Sequence, residues 1–197
     1  MNFLAHLYLS GENEEVVLGN FIADAIKGSH YKNFPKNVAK GILPHREIDH
    51  FTDNHPVFRQ SKSRLVPKYR IFSGIIVDIF YDHYLARNWN DFSAEHLNQF
   101  VSRAYFLLVR KFHLLPARSK RILPFMVSQN WLVGYADFDS LQKVFNGMSR
   151  RTNNLSGMEN AITDLKADYQ LYEDEFRLFF PEIVEHISHF RRNLMEE

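Results

Sequence analysis

The chain has 197 residues, 45% of them hydrophobic and 15% aromatic, with 24 Lys and Arg against 23 Asp and Glu and no cysteine. This excludes a disordered or collagen-like chain, a disulfide framework, a thiolate zinc site and a cysteine nucleophile. The net charge of +1 hides an uneven distribution: residues 59–136 carry +8 between flanks of −2 and −5, and no acid lies between His96 and Ala136.

Apolar residues recur at helical spacing, and no stretch alternates with period two between turn residues. The expectation is an all-α protein, a single-domain helical bundle over residues 1–197. A short apolar segment at 3–9 precedes a helix near 14–27, closed by Gly28 as a C-cap. Pro35 opens the next helix, which carries Val38, Ile42, Ile48 and Phe51 and ends before Pro56, with Pro44 expected to kink or split it. Helices follow at about 56–66 and 68–88, then from Ser93 as N-cap to about 113. Pro116 starts a segment running toward Tyr135 with a bend at Pro124, and Asp137 or Asp139 caps a helix to about 149. From Ser156 onward one long amphipathic helix is expected, broken at Pro181.

The start, MNFLAHLYLSGENEE, lacks a basic region and is interrupted by His6, so it reads as mature structure rather than a signal peptide. Ile71–Phe80, the most apolar stretch, is too short to span a bilayer and contains Asp78. A soluble, cytoplasmic protein with no membrane span is expected.

Six of the ten histidines lie in the first 83 residues, where three segments combine acids with imidazoles: GNFIADAIKG, PHREIDHFTDNHP and GIIVDIFYDHYLA. The second sets His45 and Asp49 one turn apart on one helical face, with Thr52 or Asp53 next along it. The third sets Asp78 and Asp82 four apart, followed by His83, among Ile75, Ile76, Val77, Ile79, Phe80 and Tyr81. An ionised carboxylate among such neighbours requires a partner, and Asp24 poses the same problem. One solution is a divalent ion such as Mn²⁺ or Mg²⁺ held where several helices meet. The other is structural pairing, of Asp78 and Asp82 with Arg46 or Arg70 and of Asp24 with Lys27; His6 would then be a hydrogen-bonded core histidine.

No G-x-S-x-G, GK[ST], G-x-G-x-x-G or H-E-x-x-H motif is present, which removes the serine hydrolase, P-loop, Rossmann and zincin readings. The aromatics interleaved with basic residues from Arg103 to Phe112 sit at helical core spacing, so nucleic-acid binding is not expected. The basic middle of the chain is either a solvated helix face or a surface that meets an anionic partner.

The segments MNFLAHLYLS, GNFIADAIKG, HREIDHFTDNHP, GIIVDIFYDHYLARNW and QNWLVGYADFDSLQKVFNGMSRR, in this order, resemble the bacterial acyl carrier protein phosphodiesterase family. The resemblance implies an all-helical, metal-dependent phosphodiesterase distantly similar to the HD phosphohydrolases, with the HD-like elements in rearranged order. It implies cleavage of the phosphodiester joining 4′-phosphopantetheine to a serine of holo acyl carrier protein, with Mn²⁺ preferred. Carried over residue by residue, Asp24, His45, Asp49, Asp78 and Asp82 are the candidate metal ligands, His83 or His6 the proton shuttle and Arg46 the phosphate clamp. The acidic carrier would dock on basic residues within 59–136, among them Lys62, Arg64, Lys68, Arg70, Arg110, Lys111, Lys120 and Arg121. Two alternatives remain: a helical metallophosphohydrolase acting on a nucleotide or other small phosphoester, and a non-catalytic helical module that binds an acidic protein.

Overall fold

A computed structural model describes residues 1–196. Helix α1 (Phe3–Leu9) opens at Asn2, whose side chain accepts from the Phe3 N–H at 2.8 Å. Helix α2 (Glu14–Ile22) opens at Asn13, which caps the Glu15 and Val16 amides, with Glu14 and Glu15 in the first turn to complement the helix dipole. It stops earlier than expected: Ala23–Ala25, carrying Asp24, is a 3-10 turn, and a second one spans Gly28–Asn33. Helix α3 (Lys36–Asn54) runs unbroken through Pro44, as α4 (Pro56–Tyr69) does through Pro67.

The helix expected over 68–88 is divided. Arg70 takes a left-handed conformation at φ +49, which ends α4, and a 3-10 turn over Arg70–Phe72 leads into α5 (Ser73–Arg87). Helix α6 (Leu97–Arg110) starts later than Ser93, whose hydroxyl instead accepts from the Glu95 amide. The segment from Pro116 is split at Asn130, another left-handed residue, into α7 (Ala117–Ser128) and α8 (Trp131–Gly134). Asp137 caps α9 (Phe138–Arg151) as expected. The last third is two helices, α10 (Ala161–Ala167) and α11 (Tyr169–Glu196), parted at Asp168, and α11 continues through Pro181. A proline removes one intrahelical hydrogen bond, whereas side-chain packing over many turns supplies most of a helix's stability. No strand occurs among the described residues, and no helix there is long and apolar enough to cross a membrane.

Helix α5 is apolar on nearly every side because it is the central element: Ile76, Val77, Ile79, Phe80, Tyr81, Tyr84 and Leu85 are fully enclosed. It is flanked by α1, α4 and α11. Aromatic rings from α11 pack edge-on or tilted against it, Tyr172 on Phe80 at 5.2 Å and Phe179 on Tyr81 at 5.3 Å between centroids. Ser61, Tyr81, Arg64 and the buried Glu175 form one hydrogen-bonded group that ties α4, α5 and α11 together.

Helices α2 and α3 touch backbone to backbone. A Cβ at Gly19 would lie 2.0 Å from the Val38 carbonyl oxygen, and one at Gly41 would lie 2.2 Å from that of Val16. Only glycine permits this approach. Its consequence is local, since Asn20 follows Gly19 and His45 lies one turn after Gly41.

Candidate metal centre

His6 from α1 and His45 from α3 stack face to face, with ring centroids 4.0 Å apart, and Asn20 from α2 sits beside both. The Asn20 amide nitrogen donates to the His6 carbonyl oxygen at 3.1 Å, which turns its own oxygen toward the rings. That oxygen lies 3.1 Å from Nδ1 of His6 and 2.9 Å from Nδ1 of His45, so both Nδ1 atoms carry the proton. A neutral imidazole has only one N–H. With both rings neutral, each Nε2 presents a lone pair.

What those lone pairs face is oxygen. Nε2 of His6 lies 3.2 Å from Asp49 Oδ1 and 3.1 Å from the Met1 carbonyl oxygen. Nε2 of His45 lies 3.3 Å from Asp49 Oδ2 and 3.3 Å from Asp24 Oδ1. Burial, together with the adjacent His45, holds the His6 ring down to about 4, so it does not protonate to relieve the repulsion at neutral pH.

The donor set fits a cation. His6, His45 and Asp49 each offer one atom, all within 4.8 Å of one another, and Asp24 adds a carboxylate at the rim. Two imidazole nitrogens with carboxylate oxygens suit a divalent first-row metal, and Asn20 is the outer partner that fixes both ring tautomers. A cavity of about 420 Å³ opens on this cluster, and the side chains of Asp24 and Asp49 are roughly half exposed to it. The buried Thr52 hydroxyl, one helical turn beyond Asp49's neighbour Ile48, lines the cavity without a hydrogen-bond partner.

A scan against family models matches residues 1–183 to the model described as acyl carrier protein phosphodiesterase. The acyl carrier protein phosphodiesterase of Escherichia coli O139:H28 is 35% identical over 190 residues, covering 96% of this chain and 98% of the relative. That of Shigella boydii serotype 18 matches with the same identity and coverage, and that of Escherichia coli O45:K1 is 35% identical over 189 residues. The chain belongs to the acyl carrier protein phosphodiesterase family. The resemblance drawn from the motifs is thus borne out, and no solved structure matches the chain.

The family motifs do not all converge. Asp78 lines the cavity but pairs with the Met1 α-ammonium group, 2.8 Å away, rather than with Arg46 or Arg70. Asp82 is fully buried and accepts from the backbone amides of Asn2 (3.3 Å), Leu4 (2.8 Å) and Ala5 (3.2 Å), so it holds the N-terminal end of α1. Burial lifts its carboxyl to about 7, although the Leu4 and Ala5 amides and the Met1 ammonium oppose the shift. Both carboxylates thereby position the helix that carries His6.

His83 and Arg46 are not among the residues that line the cavity. The His83 ring is enclosed, with Nδ1 donating to the Tyr135 carbonyl at 2.7 Å and Nε2 accepting from the Tyr169 hydroxyl at 3.0 Å. Arg46 donates to the carbonyls of Ile26 and Gly28 and stacks over Tyr31, which pins the loop following Asp24. The cavity wall instead carries Arg118 and Arg151, with Trp131 between α7 and α9. Of the basic residues expected to meet a partner, Arg64, Lys68 and Arg110 are engaged by Glu175, Asp164 and Glu14. Asn20 had one sequence signal, an amide inside the apolar run Val16–Ile22; Arg151 and the Met1 ammonium had none.

Proposed function

We propose that the protein hydrolyses the phosphodiester joining 4′-phosphopantetheine to a serine of holo acyl carrier protein, releasing apo carrier and 4′-phosphopantetheine. The observation that carries the chemistry is the pair of lone-pair-bearing Nε2 atoms facing carboxylates in an open cavity, and the named relatives supply the substrate. His6, His45 and Asp49 would hold a divalent ion, Mn²⁺ by preference, with Asp24 as an additional ligand. Such an ion polarises phosphoryl oxygens and acidifies water. Arg118 and Arg151 would bind the phosphate oxygens as planar forks, the part first expected of Arg46. Asp24, half exposed in the same cavity as Arg118, is placed to take a proton from the attacking water when it is not ligating. The water oxygen bonds to phosphorus as its proton passes to Asp24, the phosphorus–oxygen bond to serine breaks, and the serine oxygen takes up that proton.

The basic surface within 59–136 is narrowed by this reading to α7, where Arg118 and Arg121 lie beside the exposed Phe125 and border the cavity mouth. Positive charge there would steer an acidic carrier toward the site. Mass spectrometry of holo carrier incubated with the protein tests the reading: loss of the arm with Mn²⁺, and no loss with EDTA or with Asp49→Ala. A carrier that keeps its arm under all conditions, alongside turnover of nucleotides, would transfer the site to small phosphoesters.

A further inference from the structure

A second cavity of about 570 Å³ between α8 and α9 adjoins the metal-centre cavity: Asn2, Phe3, Trp131, Met148 and Arg151 line both. Its far part is walled by Tyr135, Val144 and Gly147, with Gln129, Ser140 and Lys143 supplying polar groups. The arginine-rich face of α7, with Arg118 and Arg121, meets both cavities at Trp131 and Arg151.

Resting on the substrate reading above, we propose that this second cavity is the binding groove for the pantetheine arm, while the carrier body stays on the α7 side. The phosphorus is the branch point of the substrate: protein extends from one of its oxygens and the arm from another. Two adjoining cavities and an arginine-rich face that all share Arg151 match that branching. The arm alternates methylenes and a gem-dimethyl group with two amides, and a groove with apolar walls and a few spaced polar side chains is the complement of such a chain. The volume lies within the range of small-molecule sites.

Gly147 makes the groove testable. It sits on α9, and a Cβ built there meets nothing within 4 Å, so a larger side chain enters the groove rather than the core. Replacing glycine within a helix also favours the helix. In Gly147→Phe, kcat/KM for holo carrier should fall at least tenfold more than turnover of bis(4-nitrophenyl) phosphate, which has no arm, with Gly147→Ala intermediate. Free pantetheine should inhibit the parent protein and inhibit Gly147→Phe at least tenfold less. Circular dichroism melting establishes that the variant is folded. A folded Gly147→Phe that processes holo carrier as well as the parent, or that loses both activities in equal measure, would overturn the groove assignment alone. A parent that never releases the arm would overturn the substrate reading and the groove's occupant together.

Discussion

His6 and His83 are both buried histidines on helices packed in the same core, and burial holds both near 4, yet they have opposite surroundings. Around His83 every ring atom is satisfied by one proton: Nδ1 donates to a carbonyl and Nε2 accepts from a phenol. Around His6 and His45 both rings spend their single proton on the same Asn20 oxygen, and their remaining nitrogens face Asp49, Asp24 and the Met1 carbonyl. Counting protons thus separates a histidine with both ring nitrogens satisfied from one whose second nitrogen faces oxygen, where burial and pKa do not. A packed interior tolerates the first arrangement unaided, whereas the second opposes lone pairs that a bound cation would reconcile.

The comparison can be broken most directly at His45. His45→Ala should remove bound metal, measured by elemental analysis after dialysis against Mn²⁺, and lower activity by about a thousandfold or more, in line with loss of a catalytic ion. Retained stoichiometry would show that the cluster is not the site. Asn20→Ala leaves all donors in place but frees the tautomers, so metal affinity should weaken by about 10–100-fold, read by calorimetric titration. Conversely, His83→Ala should leave metal stoichiometry intact and cost about 2 kcal/mol of stability through the lost hydrogen bonds and packing. Loss of metal in that variant would erase the distinction.

The smallest effect is a pH slope in the metal-free protein. His6 and His83 bind protons in the unfolded chain below their ordinary value of 6.5, but in the folded chain only near 4. Stability therefore falls as pH drops from about 6.5 to 4. Asp82 acts in the opposite sense, since its folded carboxyl, near 7 against an ordinary 3.8, takes up its proton first as pH falls. Asp82→Asn should accordingly steepen the acid-side decline in Tm between pH 7 and 4, and an unchanged slope would contradict the burial of that carboxylate.

Much of this was legible beforehand. The 3.6-residue periodicity identified the all-α class, and the i, i+4 spacing of His45 and Asp49 placed them on one face whatever Pro44 did, because α3 is continuous through it. Capping by Asp137 followed from residue type alone. Helix ends were harder: α4 and α7 end where Arg70 and Asn130 adopt positive φ, which the periodicity does not mark. Prolines 44, 67, 124 and 181 lie inside helices because packing along many turns outweighs the hydrogen bond each removes.

From the sequence alone came the helical class, the family, and the fact that several acids near the front of the chain need partners. Which partner each acid takes was decided only in three dimensions. Asp78 and Asp82 project from α5 toward the first residues and are met by an ammonium and by backbone amides. Asp24 is brought to His45 by the close glycine crossing of α2 and α3, whereas Asp49 lies one turn from His45 on α3 and meets His6 of α1. The reason is that charge compensation depends on distance and on proton position, and both are settled by contacts between residues far apart in the chain.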